Sequence, residues 1–513
     1  MNGSLRLFAA IAAVLLWANC TVAKDIDERK WILMESGNFS IYSSVSKRKT
    51  RDLMLHLEAL RGVFVGGLVS SSKLDDKPTR ILVLGRSSDY KKLGMPENSV
   101  GSFRSDLRNN YIVISNSSQM SESQVILHEY VHFMVRATQR FPYPKWWDEG
   151  YAEYVSSSNL SKKRFEFGLP LEGRLSDLSY LTWLPWEDVL TSTSLANLSR
   201  KQNAAYYAQS WLLVHYLHNR GKSSTSIDAS WSSYLQKIRN GTGTVPAFEQ
   251  SFGISVQELK KEIRRYAKNG KYQYWRISTE TLVPEFNPSS ERVTQRDIQI
   301  LLGQFALRNH DATAAIMWFR KAIDIQPQSA VAVAGLGSAL FLDGHLEDAK
   351  IQFDIALDSE PDNPDILVDA AKLALERASL PDAWFTQVDR LKDAETMLMK
   401  ARSIAGGTVE LDTYLAFTWL KQNDDPSAAI ELLVSVMRRS PSEQWPLLLL
   451  AECYARAGNP DNAIDLAQAV IRYDHRASNY SVSARKLIEQ IRGKDDKANG
   501  PRPRIAAPQL PKN

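Results

Sequence analysis

The chain has 513 residues, 44% of them hydrophobic and 24% charged, which is long enough for two or three packed domains. Its 63 basic and 58 acidic residues leave a formal charge of +5, small for this length and spread along the chain, which gives no case for nucleic-acid binding. The basic run Lys47 to Arg51 reads as the solvated start of a helix.

The first 23 residues carry the three parts of a secretory signal: a basic start with Arg6, an apolar core from Leu7 to Trp17, and Thr21-Val22-Ala23 as a small-residue cleavage site. That core is too short to span a bilayer, and no later stretch reaches spanning length. The mature chain is expected to begin at Lys24. Trp17 and Asn19 fit a lipobox around Cys20 poorly, and cleavage after Ala23 leaves Cys453 alone, so no disulfide is expected.

From Trp31 to Ser44 the pattern predicts a strand or hairpin around Ser36-Gly37-Asn38. Ser46 to Val65 has helical spacing at Leu53, Leu57 and Leu60, and Thr79 to Leu84 is a buried strand. Gly101 to Ser115 predicts a second hairpin with Asn109-Asn110 near its turn.

The helix that follows holds His128-Glu129-Tyr130-Val131-His132 among apolar neighbours. Residues four apart share a helix face, so His128 and His132 can direct their imidazoles at one ion. Glu129 sits on the flank of that face, within reach of a water on the ion. Tetrahedral zinc with an open position needs a third protein ligand, for which Glu149 is the candidate. Pro142 and Pro144 should end the first helix and turn the chain back. A second helix from near Trp147 then carries Glu149 and Glu153 on one face, and Gly150 and Ala152 let it approach a neighbour closely. Asn203 to Leu217 predicts a further helix, bearing Tyr206, Tyr207 and His215, and Ile254 to Tyr274 an amphipathic one.

Val283 to Ser290, with its prolines and small polar residues, reads as a linker. Beyond it Gly303 and Gly337, Ala315 and Ala349, Phe319 and Phe353, Ala322 and Ala356, and Pro327 and Pro361 each recur at a spacing of 34 residues, as do Ala429 and Ala463. These positions match the tetratricopeptide pattern of two antiparallel helices per repeat. Repeats are expected at 296–329, 330–363, 410–443 and 444–477, with 364–409 a repeat enlarged around Leu380 to Val388. Gly335-x-Gly337 is a packing element of the repeat rather than a phosphate loop, and Cys453 is a core residue. The tail from Gly493, rich in Lys, Pro and Gly, reads as disordered.

The metal segment, His128-Glu129-x-x-His132 followed by Trp146-x-x-Glu149-Gly150-x-Ala152-Glu153, is similar to the gluzincin metallopeptidases, above all the bacterial peptidase MA-like domains, over roughly residues 24–271. The resemblance implies an α+β zincin-like domain with one Zn2+ per chain held by His128, His132 and Glu149, Glu129 as general base toward a zinc-activated water, and Glu153 orienting a ligand histidine. It implies a mixed sheet before the motif helix whose edge strand, taken as residues 101–115, can pair with extended substrate. It also implies a group on the 203–217 helix to stabilise the oxyanion, Tyr207 by preference, with Tyr206 and His215 as competitors. The spacing to the third ligand is shorter than in the aminopeptidases and their exopeptidase motif is not visible, which turns the expectation toward an endopeptidase. A bacterial origin, implied in the same way, makes the destination the periplasm.

The whole chain is thus expected to be a signal peptide (1–23), a zincin-like metallopeptidase domain (24–275), a linker (276–295), an all-α tetratricopeptide-repeat solenoid (296–492) and a disordered tail (493–513). Its expected function is that of an exported zinc metallopeptidase acting on a peptide or protein, with a protein partner or the substrate bound by the repeats and no nucleic acid or membrane span involved. The alternative is an interaction protein whose zincin-like domain is catalytically silent. A metal hydrolase acting on a non-peptide amide or ester is the third reading, since metal and base do not specify the acyl group.

Overall fold

The structure, a computed structural model, describes residues 25–64, 77–94, 101–115, 121–137, 143–161, 163–195, 197–220, 224–380, 384–422, 425–473 and 479–495. The expected signal peptide and the Phe141-Pro142 part of the turn after the motif helix lie outside these residues.

β1 (Trp31–Glu35) and β2 (Phe39–Ser43) form the first hairpin, with Met34 opposite Ile41. Ser46 then caps α1 (Lys47–Val63) by accepting a hydrogen bond from the Lys49 backbone. β3 (Thr79–Leu84), the short α2 (Ser87–Lys92), β4 (Gly101–Ser105) and β5 (Asn110–Ser115) complete the first half of the sheet. Its strand order is β4-β5-β3-β2-β1-β9, where β9 is Ser289–Val293. β2, β3 and β5 run parallel, and the remaining pairs are antiparallel.

The central strands are buried on both faces, which explains their unbroken apolar runs. Ile81, Val83, Ile112 and Ile114 pack against Leu57 and Leu60 of α1 and against Leu127 and Val131 of α3 (Ser121–Ala137), the motif helix. Leu82, Leu84, Tyr111 and Val113 point the other way, onto Ile298, Leu302 and Phe305 of the first repeat helix. The repeat region therefore closes the second face of the sheet.

After α3 come α4 (Lys145–Ser156), the strands β6 (Ser158–Leu160) and β7 (Arg164–Phe167), α5 (Glu172–Tyr180), α6 (Trp186–Thr191), α7 (Arg200–Arg220), α8 (Ser224–Arg239), α9 (Thr244–Phe252) and α10 (Val256–Asn269). The expected helix over 254–274 is shorter at both ends, because Ser255 caps its start through Glu258 and Gly270 takes a left-handed conformation that stops it. The linker expected over 276–295 is a correction. β8 (Trp275–Ser278) pairs with β7, the single turn α11 (Thr279–Leu282) packs near α1, and β9 adds itself to β1 with Trp31 opposite Val293. β9 is an outermost strand with a largely exposed Ser-Ser-Glu-Arg-Val sequence, so it has no apolar run to betray it.

Among the described residues the repeats form five helical hairpins: α12 (Gln295–Arg308) with α13 (Ala312–Ile325), α14 (Ala330–Leu342) with α15 (Leu346–Ser359), α16 (Pro364–Arg377) with α17 (Trp384–Ala405), α18 (Val409–Gln422) with α19 (Ser427–Arg439), and α20 (Gln444–Arg456) with α21 (Pro460–Tyr473). Much of the insertion in the third hairpin lengthens α17 to 22 residues, against 14 in α13. Gly335 lies so close to the Phe319 ring that a Cβ there would come within 2.2 Å of it, the contact expected of a packing glycine. Cys453 is fully buried, and burial pushes its thiol up to about 12. α22 (Asn479–Asp495) ends the described chain, so the expected disorder from 493 is corrected by three residues and the rest lies outside the described residues. No described helix is long and apolar enough to cross a membrane.

Candidate metal centre

Leu127, Tyr130, Val131 and Met134 turn into the core and fix the roll of α3, which leaves His128 and His132 on its flank toward α4. α4 begins two residues before the predicted Trp147, because Pro144 occupies its cap position. All of its residues from Trp146 to Ser156 are buried. Trp147 stacks on Tyr151 at 4.4 Å and on Trp231 of α8 at 4.7 Å. Gly150 is the contact point with α7: a Cβ there would lie 2.3 Å from the Ser210 carbonyl oxygen. The small residues of this helix thus serve the approach of α7.

These packings bring three donor atoms together. His128 Nε2 and His132 Nε2 are 3.0 Å apart, and Glu149 Oε2 lies 3.3 Å from each. Tetrahedral zinc ligands at about 2.0–2.1 Å from the ion are separated from one another by about 3.3–3.4 Å, so the spacing fits a zinc ion. Glu149 Oε2 is buried and has no hydrogen bond of acceptable geometry, which is costly for a carboxylate unless a cation meets it. The other oxygen of Glu149 accepts from Lys145, one turn earlier. Among the described residues this is the group of His, Cys, Asp and Glu side chains arranged to hold an ion.

A ring of supporting groups surrounds the three. His132 Nδ1 donates to Asp148 at 2.9 Å, which presents Nε2 to the centre. Burial disfavours the charged imidazolium of His132, but the Asp148 carboxylate and then Glu149 outweigh it and lift its pKa to about 10. Burial likewise works against the Glu149 carboxylate, and the two histidines and Lys145 hold it well below the usual carboxylate range. Glu153 Oε1 is 3.8 Å from His128 Nδ1 and accepts from Arg174 of α5 at 2.5 Å. Glu129 is half-buried, next along the helix from His128.

Of the three candidates on α7, Tyr207 is the one beside the centre, its ring 6.4 Å from that of His128 and 5.3 Å from the Arg174 guanidinium. Burial, and then the charges of Glu149 and Glu153, raise its phenol above the usual value, so it stays protonated. Tyr206 donates to the Val189 carbonyl, and His215 bonds Tyr266 and the Gly168 carbonyl, so both serve the core. Asp148, Lys145 and Arg174 were not singled out from the sequence. Asp148 was findable as the acid next to Glu149, but Arg174 lies 21 residues from its partner and gives no local signal.

A sequence profile of the tetratricopeptide repeat matches residues 420–491. The C-terminal region carries tetratricopeptide repeats, a protein-interaction fold. Three solved structures resemble this part of the chain. A thermophilic TPR protein of Thermus thermophilus is 15% identical, covering 38% of this chain and 99% of its own, with a TM-score of 0.34. PilF of Pseudomonas aeruginosa is 20% identical, with 40% and 87% covered and a TM-score of 0.32. YrrB, described as a TPR protein with an unusual peptide-binding site, is 16% identical, with 37% and 90% covered and a TM-score of 0.28. No curated protein matches the chain.

Proposed function

We propose that the chain is a zinc-dependent metallopeptidase, an endopeptidase of the bacterial periplasm, whose repeats bind a partner or substrate protein. The observation that carries this reading is the convergence of His128 Nε2, His132 Nε2 and the otherwise unsatisfied Glu149 Oε2 at zinc-ligand spacing. A zinc ion held there would polarise a carbonyl and lower the pKa of a water to about 7. In this reading Glu129, half-buried and next along the helix from His128, takes a proton from the attacking water and passes it to the leaving amine. The protonated Tyr207 is the donor available to the oxyanion that develops on the former carbonyl oxygen. Asp148 holds the ring of His132, and Glu153, itself held by Arg174, lies behind that of His128.

Elemental analysis of the purified protein beside the His132→Ala and Glu149→Ala variants tests this, with casein or a mixed peptide library as substrate. One zinc per chain, lost in both variants, together with cleavage that a chelator stops, is the expected result. A wild type without zinc and without cleavage would leave the function to the repeats.

A further inference from the structure

Lys145 is the first residue of α4, directly after Pro144, whose carbonyl accepts from the backbone of Trp147 at 2.9 Å and of Asp148 at 3.0 Å. A cation at a helix N-terminus opposes the helix dipole, and in a pair four residues apart lysine before glutamate is the weaker order. The helix itself therefore gains little from Lys145. Its ammonium nevertheless donates to Oε1 of Glu149, and the pair is covered, with 17% of the lysine side chain exposed and 5% of the glutamate. Solvent screens such a contact much less than one on an open surface.

The pairing makes the two oxygens of Glu149 unequal. Oε1 is held by Lys145, whereas Oε2, buried and without a proper hydrogen bond, lies 3.3 Å from each histidine Nε2. Trp146, fully buried, and Trp147, stacked on Tyr151 and Trp231, fix the roll of α4 and with it the side from which Glu149 approaches. The neighbouring acids are met by other groups, Asp148 by His132 and Glu153 by Arg174. Lys145 thus serves Glu149. A carboxylate can bind a metal through one oxygen or through both. Catalytic zinc with three protein ligands keeps a further position for water or substrate, and a second carboxylate oxygen would take that room.

We infer that Lys145 is a positioning residue of the metal centre: by holding Oε1 it makes Glu149 a one-oxygen ligand and keeps a coordination position open. Its charge also offsets that of the carboxylate, so an ion meets a less negative donor set than two imidazoles and a free glutamate would present. Tight binding is given up for an open, more strongly polarising site. The inference rests on the zinc reading of this centre.

Cobalt(II) loaded into the full chain in place of zinc reports the coordination number, since four-coordinate cobalt absorbs visible light more strongly than five-coordinate cobalt. The wild type should show the intense bands, Lys145→Met should lose several-fold in intensity, and Lys145→Arg should keep them. Zinc affinity, measured by competition with a coloured chelator, should rise on the order of tenfold in Lys145→Met, because a cation beside the ion is gone. Loss of a merely structural contact would weaken binding instead. A Lys145→Met spectrum equal to that of the wild type overturns the inference, as does zinc binding no tighter than in the wild type. If Lys145→Met fails to fold, zinc X-ray absorption of the wild type decides: a first shell of four light atoms supports the inference, and five overturn it. A wild type that takes up neither metal sinks the zinc reading as well, whereas one that takes up cobalt with a spectrum indifferent to Lys145→Met sinks this inference alone.

Discussion

At the metal centre Glu149 Oε2 faces two histidine nitrogens without a proper hydrogen bond, whereas at the β4–β5 turn both oxygens of Asp369 and both of Glu410 are taken by Arg108 and Lys372. A covered carboxylate needs a cation in either place. The turn cluster draws its cations from the chain and acts as a joint between the sheet and the repeats. At the metal centre Lys145 meets only the other oxygen of Glu149 and leaves Oε2 turned toward the two histidines where the three donors converge, which is the property of a ligand site.

The contrast can be broken at either end. Removing the base should do most damage to the chemistry and least to the fold: Glu129→Gln should keep zinc and lower kcat by about 10²–10⁴. Unchanged turnover in that variant would sink the role given to Glu129. Arg108→Ala should leave zinc in place and cost about 3 kcal/mol in urea unfolding, since it strands covered carboxylates. A loss below about 1 kcal/mol would mean that solvent already screens the joint. Gly150→Ala should cost about 1–3 kcal/mol, because the Ser210 carbonyl must move and Tyr207 moves with its helix.

Acid should separate the two regions by the smallest but most selective effect. Burial pulls His215 and His56 down to about 4, against about 6.5 in an unfolded chain. Between those values only the unfolded state binds their protons, so the N-terminal unit should lose stability as pH falls from about 6.5 to 4. Asp369 behaves oppositely. Burial opposes its charge, but Arg108 and Lys372 outweigh burial and hold the carboxyl below its usual range. Its contribution is complete above about pH 3.9 and is lost only as pH falls through its lower folded value. Amide exchange at 106–110 that accelerates already between pH 6 and 5, ahead of exchange in α7, would contradict this order.

Much of this was legible in the chain itself. The four-residue spacing of His128 and His132, the acid at 149 and the recurrence of Ala315, Phe319 and Pro327 after 34 residues are local patterns, and helix geometry translates them into faces directly. β9 lies where the sequence predicts a linker, because an exposed outer strand carries no apolar alternation. The place of Tyr207 beside His128 depends on how α7 seats on Gly150, and Arg174 reaches Glu153 from a separate helix.

The sequence alone determined the two helices of the metal segment, the helices near 46–65 and 203–217, the repeat period and the donor types, because each is set by neighbours within a few turns. Tertiary structure decided that Oε2 of Glu149 has no partner but the two histidines, that the first repeat helix closes the sheet, and that Arg108 meets Asp369 across 261 residues. These are contacts between surfaces whose partners are chosen by packing and by charge compensation, and neither leaves a periodic trace along the chain.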